Sequence, residues 1–225
     1  MRDQRHPTGP AGGDGRPEDD RYLTVAGESV HETEVNRSRF RCTLAPANTV
    51  AEAEEFIARV RARHPDATHN CWAYVIGADA AVQRSSDDGE PGGTAGPPML
   101  QMLLRRGMRC TAAVVTRYFG GVRLGAGGLI RAYGGAVGEA LDAAGTVTRR
   151  RMRRAVITVG HDRAGKLENE LRAAGHPVHS VTYGSRVTIE TALPGSAAGA
   201  FLAWLADATA GTARAALGPE WYGPS

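Results

Sequence analysis

The chain has 225 residues, 42% of them hydrophobic and 23% charged, enough apolar material for one large or two small cores. The formal charge of +3 is mild and, Lys166 apart, the basic residues are arginines, so overall charge does not by itself argue for a nucleic-acid partner. The apolar runs, such as Ala112 to Val115, fall far short of the ~20 residues a membrane-spanning helix needs. No apolar stretch before residue 20 suits a secretory signal, so a cytoplasmic protein without a membrane is expected.

Residues 1–20 mix glycine, proline and charge with almost no apolar side chain and are expected to form a disordered tail. Strands are expected over Tyr22 to Ala26 and Glu34 to Leu44. Thr49 with Glu52 then makes a capping box for a helix whose apolar face is Val50, Ala53, Phe56, Ile57 and Val60. Asn70 to Ile76 reads as a buried strand, Asp79 to Pro98 as a long polar loop, and Pro97 and Pro98 as the first turn of a helix that Gly107 ends. Thr111 to Thr116 is a further strand. A glycine-rich turn leads into a helix carrying Leu129, Ile130, Tyr133, Val137, Ala140 and Leu141, closed by Gly145.

The rest reads as strand (Ala155 to Gly160), helix (Arg163 to Ala174), strand (Pro177 to Tyr183), strand (Arg186 to Leu193), helix (Ser196 to Ala208) and strand (Thr212 to Leu217). That βαββαβ order is the ferredoxin-like unit. Domains are accordingly expected over residues 21–148 and 153–218, with the arginines of 149–154 as a linker or the rim of a binding surface. Cys42, Cys71 and Cys110 are odd in number and lie among strand-like residues, as reduced, packed thiols do. No CxxC or histidine pair suggests zinc, and no metal or cofactor is expected.

Two glycine-rich segments hold the candidate site. The first, Ser86 to Pro98, gathers Asp87, Asp88, Glu90 and Thr94. Its carboxylates suit either a magnesium ion or an acid–base pair, or ion pairs with Arg117 and Arg123, which require fewer assumptions. His69 and Cys71, two apart on a strand, share a face and are placed beside this loop; a hydrogen-bonded histidine next to a packed thiol is the simpler reading than a Cys–His nucleophile. No catalytic residue is assigned.

In the second segment, Val114 to Gly135, a strand runs into Gly120, Gly121, Gly125, Gly127 and Gly128 and then a helix. Backbone N–H groups there, with Arg117, Arg123 and Arg131, form a candidate phosphate site, although the same glycines also serve tight turns and close packing. Neither a Walker A loop nor a complete dinucleotide fingerprint is present. Tyr118 and Phe119 would stack on unpaired bases or pack in the core.

These two segments, S-D-D-G-E-P-G-G-T-A-G-P-P and V-V-T-R-Y-F-G-G-V-R-L-G-A-G-G-L-I-R-A-Y-G, resemble the hallmarks of the IMPACT/YigZ family, as do Ser38-Arg39-Phe40 and His69-Asn70-Cys71-Trp72-Ala73. The resemblance covers about residues 25–145. It implies an α+β protein, with an N-terminal βα domain like domain 2 of ribosomal protein S5 and a ferredoxin-like C-terminal domain like those of elongation factor G. It also implies a non-enzymatic, translation-associated regulator that binds RNA, the ribosome or a ribosome-associated protein. The alternative is a metal-dependent enzyme acting on a small phosphorylated or nucleotide-like substrate.

Overall fold

The structure, a computed structural model, describes residues 20–224; the expected tail, Asp20 apart, lies outside the described residues. The chain forms two five-stranded sheets, in agreement with the α+β class. The first described strand, β1 (Arg21–Thr24), joins the second sheet. The first sheet is built from β2 (Ser29–Val35), β3 (Ser38–Pro46), β4 (His69–Ile76), β5 (Val82–Ser86) and β6 (Thr111–Tyr118), in the order β2–β3–β6–β4–β5. All its pairings are antiparallel.

Helices cover both faces of this sheet, which explains why β6 reads as a continuous apolar run instead of an alternating one. On one face α1 (Val50–Arg63) packs Phe56, Ile57 and Val60 against Tyr74, Ala112 and Val114. On the other, α2 (Gly96–Arg105) and α3 (Ala126–Ala144) pack Met99, Leu103, Tyr133 and Val137 against Phe40, Cys42, Cys71 and Val115. The caps follow the sequence. Thr49 Oγ1 accepts from the Glu52 N–H (3.1 Å), while the Glu52 carboxylate reaches back to the Asn48 N–H (2.8 Å), one residue beyond the usual capping-box donor. Gly107 ends α2 with φ +68°, and Gly145 ends α3 with φ +70°.

The second unit runs β7 (Val147–Val159), α4 (His161–Ala173), β8 (Val178–Tyr183), β9 (Val187–Pro194), α5 (Ala198–Thr209) and β10 (Arg214–Pro224). β7 lies between β9 and β10, and β8 borders β9, all antiparallel, which is the ferredoxin-like order. Both helices cover one face, where Leu167, Leu171, Phe201 and Leu205 meet Ile157, Ile189 and Leu193. Among the described residues no helix is long and apolar enough to cross a membrane.

Five local readings differ from the sequence expectation. The strand expected over Glu34 to Leu44 is broken at Asn36 and Arg37, both with positive φ (49° and 65°), where β2 turns back into β3. The loop from Asp79 to Pro98 contains β5, an edge strand whose polar residues Gln83, Arg84, Ser85 and Ser86 hid it. The arginine run of 149–154 is not a linker but part of β7. There Arg151 bonds Asp20 and pairs with Glu220, while Arg154 pairs with Glu190. β10 continues past Gly218-Pro219 because a bulge between Leu217 and Glu220 absorbs the break. Finally, Tyr22 to Thr24 pairs with β7 at Arg149 to Val147, not with the first sheet. The same segment also touches the first unit: Leu23 O accepts from the Arg109 N–H (2.8 Å), Thr24 Oγ1 donates to Cys110 O (3.1 Å), and Val25 enters the first core.

Candidate functional site

The acidic loop is built around its own backbone. Asp87 Oδ1 accepts from the N–H groups of Ala95 and Gly96 (both 2.9 Å), and Oδ2 from that of Gly93 (2.8 Å). Burial pushes this carboxyl up, but the three amides together outweigh it and hold it below its ordinary value of 3.8. Because α2 begins at Gly96, Asp87 also supplies negative charge at a helix start that lacks a side-chain cap of its own. Gly96 is required by contact: a Cβ there would lie 2.7 Å from the Ser86 backbone.

Asp88 turns the other way, through a left-handed φ of +42°. Its Oδ2 accepts from the Asn70 N–H (2.7 Å), and Arg61 binds its Oδ1. His69 Nδ1 donates to Asp88 O (2.8 Å), which leaves Nε2 3.8 Å from Glu90 Oε2. The Cys71 thiol donates to Asp87 O (3.0 Å) and is pushed up to about 12 by burial, so it is no thiolate nucleophile at neutral pH. Thr94 Oγ1 donates to Pro91 O (2.6 Å), which closes the loop on itself.

Glu90 is the loop's buried charge, its side chain 3% exposed. Its Oε1 accepts from both the Arg117 guanidinium and the Tyr133 hydroxyl, each at 2.7 Å. Arg117, itself 5% exposed, lies within 5.6 Å of the Phe40 and Phe119 ring centroids. The loop carboxylates thus diverge towards separate donors, and among the described residues no group of three His, Cys, Asp or Glu side chains is arranged to hold a metal ion.

The glycine-rich turn after β6 divides into two kinds of position. Gly120 cannot be replaced without moving the chain, since a Cβ would fall 1.9 Å from Arg37 O. Gly121 has φ +83°, and Gly128 packs on Leu124. At Gly125 and Gly127, by contrast, a Cβ would meet open space or, at 3.6 Å, only the Arg131 guanidinium. The start of α3 is therefore bare: Gly125 is its N-cap, no side chain caps it and its first turn holds no acid. Around it stand exposed Arg123 and Arg131 with the exposed apolar side chains Phe119, Val122 and Ile130.

The expected site residues therefore separate into two places. Asp87, Asp88, Glu90, Thr94, His69 and Arg117 gather in and beneath the acidic loop, with Glu90, Thr94 and Arg117 buried, while Arg123, Arg131 and the glycines form an exposed turn. Arg117, grouped with the phosphate-facing arginines on sequence, is withdrawn from that surface by its ion pair with buried Glu90. Sequence reasoning did not assign Arg61 or the Tyr133 hydroxyl to the loop. The second carried a signal, since a tyrosine in an apolar helical stripe needs a partner for its hydroxyl.

An antiparallel sheet sandwiched by helices, carrying a hydrogen-bonded acidic loop and joined to a ferredoxin-like unit, defines a two-domain α+β class of protein. The Impact N-terminal domain profile matches residues 36–141, and a profile described as a domain of unknown function (DUF1949) matches 157–212. The chain is 46% identical to IMPACT family member YvyE of Bacillus subtilis (strain 168), over 84% of this chain and 88% of that one. It is 39% identical to IMPACT family member YigZ of Escherichia coli (strain K12), over 85% and 95%. A solved structure described as that of a hypothetical protein superposes with a TM-score of 0.60 at 37% identity, covering 87% of this chain and 96% of that one. The chain belongs to the IMPACT family.

Proposed function

We propose that this protein is a non-enzymatic, translation-associated factor that binds RNA, on the ribosome or free, through the turn between β6 and α3. The observation that carries this reading is the bare helix start at Gly125 to Gly127, bordered by Arg123 and Arg131 and by Phe119, Val122 and Ile130. Unpaired N–H groups and the helix dipole favour an anion there. Arginine supplies charge-assisted contacts to phosphate, and an exposed aromatic offers a stacking surface for an unpaired base. Buried Ser38 and Arg117 hold the base of the turn in place: Ser38 Oγ accepts from the Gly120 N–H (3.2 Å) and from Arg117 (3.4 Å).

The test is binding of the purified protein to single-stranded RNA and to ribosomes across a salt series, comparing the wild type with an Arg123→Ala/Arg131→Ala variant. Steeply salt-dependent binding is expected, and the variant is expected to reduce the slope of log K against log salt by about 1 to 2, in line with two lost phosphate contacts. No binding at low salt, or an unchanged slope, would overturn the reading.

A further inference from the structure

The two units do not meet face to face everywhere. Between them lies an open cleft of about 530 Å³, lined by Asp79 and Arg109 from the first unit and by Arg21, Tyr22, Arg151 and Tyr222 from the second sheet. None of these residues belongs to the acidic loop or the glycine-rich turn. The cleft's volume lies within the ~300–1,000 Å³ range of sites that take small molecules, and its walls carry three guanidiniums against one carboxylate.

Those charges are unequally engaged. Arg151 is held by Asp20 and Glu220. Among the described residues, Arg21 and Arg109 have no carboxylate within ion-pair distance; Arg109 donates through Nη1 to the carbonyl of Met108 (2.9 Å). Asp79, exposed at the rim, accepts from the Ala81 N–H (3.1 Å) in a local turn. Two guanidiniums with no carboxylate partner among the described residues suit a ligand bearing several anionic oxygens, because the guanidinium fork matches phosphate geometry.

The cleft is also built in advance. β1 supplies Arg21 and Tyr22, and it is fixed on one side by its ladder to β7 and on the other by the Arg109 N–H bond to Leu23 O (2.8 Å). Tyr22 is in ring contact with Tyr222, centroids 4.9 Å apart, and is 9% exposed, so the aromatic wall is held rigidly. Little ordering would remain to be done when a ligand enters, which favours affinity.

We propose that this interdomain cleft is a binding site for a small polyphosphate anion, with Arg21 and Arg109 as its principal contacts and Arg151 as a third. The polyphosphate could be inorganic or part of a nucleoside diphosphate, and the probes distinguish the two. Isothermal titration calorimetry on the full chain would compare inorganic pyrophosphate with adenosine diphosphate, for the wild type, Arg109→Ala, Arg21→Ala and the Arg123→Ala/Arg131→Ala turn variant.

Saturable binding of at least one probe is expected, weakened about tenfold or more in each cleft variant and unchanged in the turn variant. Tighter binding of the nucleoside diphosphate assigns the ligand to nucleotides; tighter or equal binding of pyrophosphate assigns it to inorganic polyphosphate. A thermal melt of each cleft variant, expected to match the wild type without ligand, separates lost contacts from lost fold. Absence of saturable binding at millimolar probe, or binding that survives Arg21→Ala and Arg109→Ala, would overturn the proposal. Neither result bears on RNA binding at the turn.

Discussion

Glu90 and Arg117 show how differently two charges behave once they are buried together. With side chains 3% and 6% exposed, the pair contributes little beyond its hydrogen bonds, yet removing one member leaves the other charge buried and unpaired. Glu90→Ala is therefore expected to destabilise the first unit by about 3 to 5 kcal/mol in urea unfolding. Asp87 gives a pH signature. Its folded pKa is depressed, so the stability it contributes is present above the ordinary value of 3.8 and is lost as the pH falls through the lower folded value. Stability measured between pH 5 and pH 2 should decline less steeply in Asp87→Asn than in the wild type. The identities of these residues were legible in the sequence as one acidic cluster, but their separate roles were not. Each role depends on N–H groups or a guanidinium that only the folded loop brings near: Gly93, Ala95 and Gly96 for Asp87, Arg61 and Asn70 for Asp88, and Arg117 and Tyr133 for Glu90.

Among the elements, the turn between β6 and α3 separates structural glycines from open ones. Gly120→Ala would force a methyl group to within 1.9 Å of Arg37 O and is expected to cost about 2 kcal/mol or more. Gly127→Ala lies in the first turn of α3, where alanine is the better helix former, and is expected to be neutral or stabilising by up to about 1 kcal/mol. If the bare backbone there receives phosphate, this same substitution weakens RNA binding while leaving the melting temperature unchanged or raised; RNA affinity undiminished beside a normal melt would remove the helix start from the interface. Elements with local signals, such as the Thr49–Glu52 cap and the Gly107 and Gly145 stops, were readable from the chain. β5 was not, because an edge strand facing solvent carries no apolar alternation and borrows its definition from β4.

Across the whole molecule, two apolar clusters flank the first sheet and a third backs the second, and tryptophans report on the two units separately. Trp72 stacks on Tyr74 in the first unit, and Trp204 packs against Phe201 in the second. Leu167 is fully buried in the cluster of the second unit. Leu167→Ala is expected to cost about 2 to 5 kcal/mol and to change the fluorescence of Trp204 and Trp221 at a lower temperature than that of Trp72, as single-tryptophan versions of the chain would reveal. Coincident shifts of all three would mean that the units unfold as one. The ferredoxin-like order was legible because strand and helix periods alternate cleanly after Ala155. The attachment of β1 was not, since a four-residue strand does not state its partner.

That attachment has a consequence for how the molecule is made. β1 is synthesised before every element of the first unit, yet its ladder partner is the start of β7, reached only after the entire first sheet has been synthesised. The first unit can close its core around Val25 while Arg21 to Thr24 waits with its ladder groups unpaired. The relative placement of the two units, and the cleft between them, is therefore settled late in synthesis by a long-range contact of the slow kind.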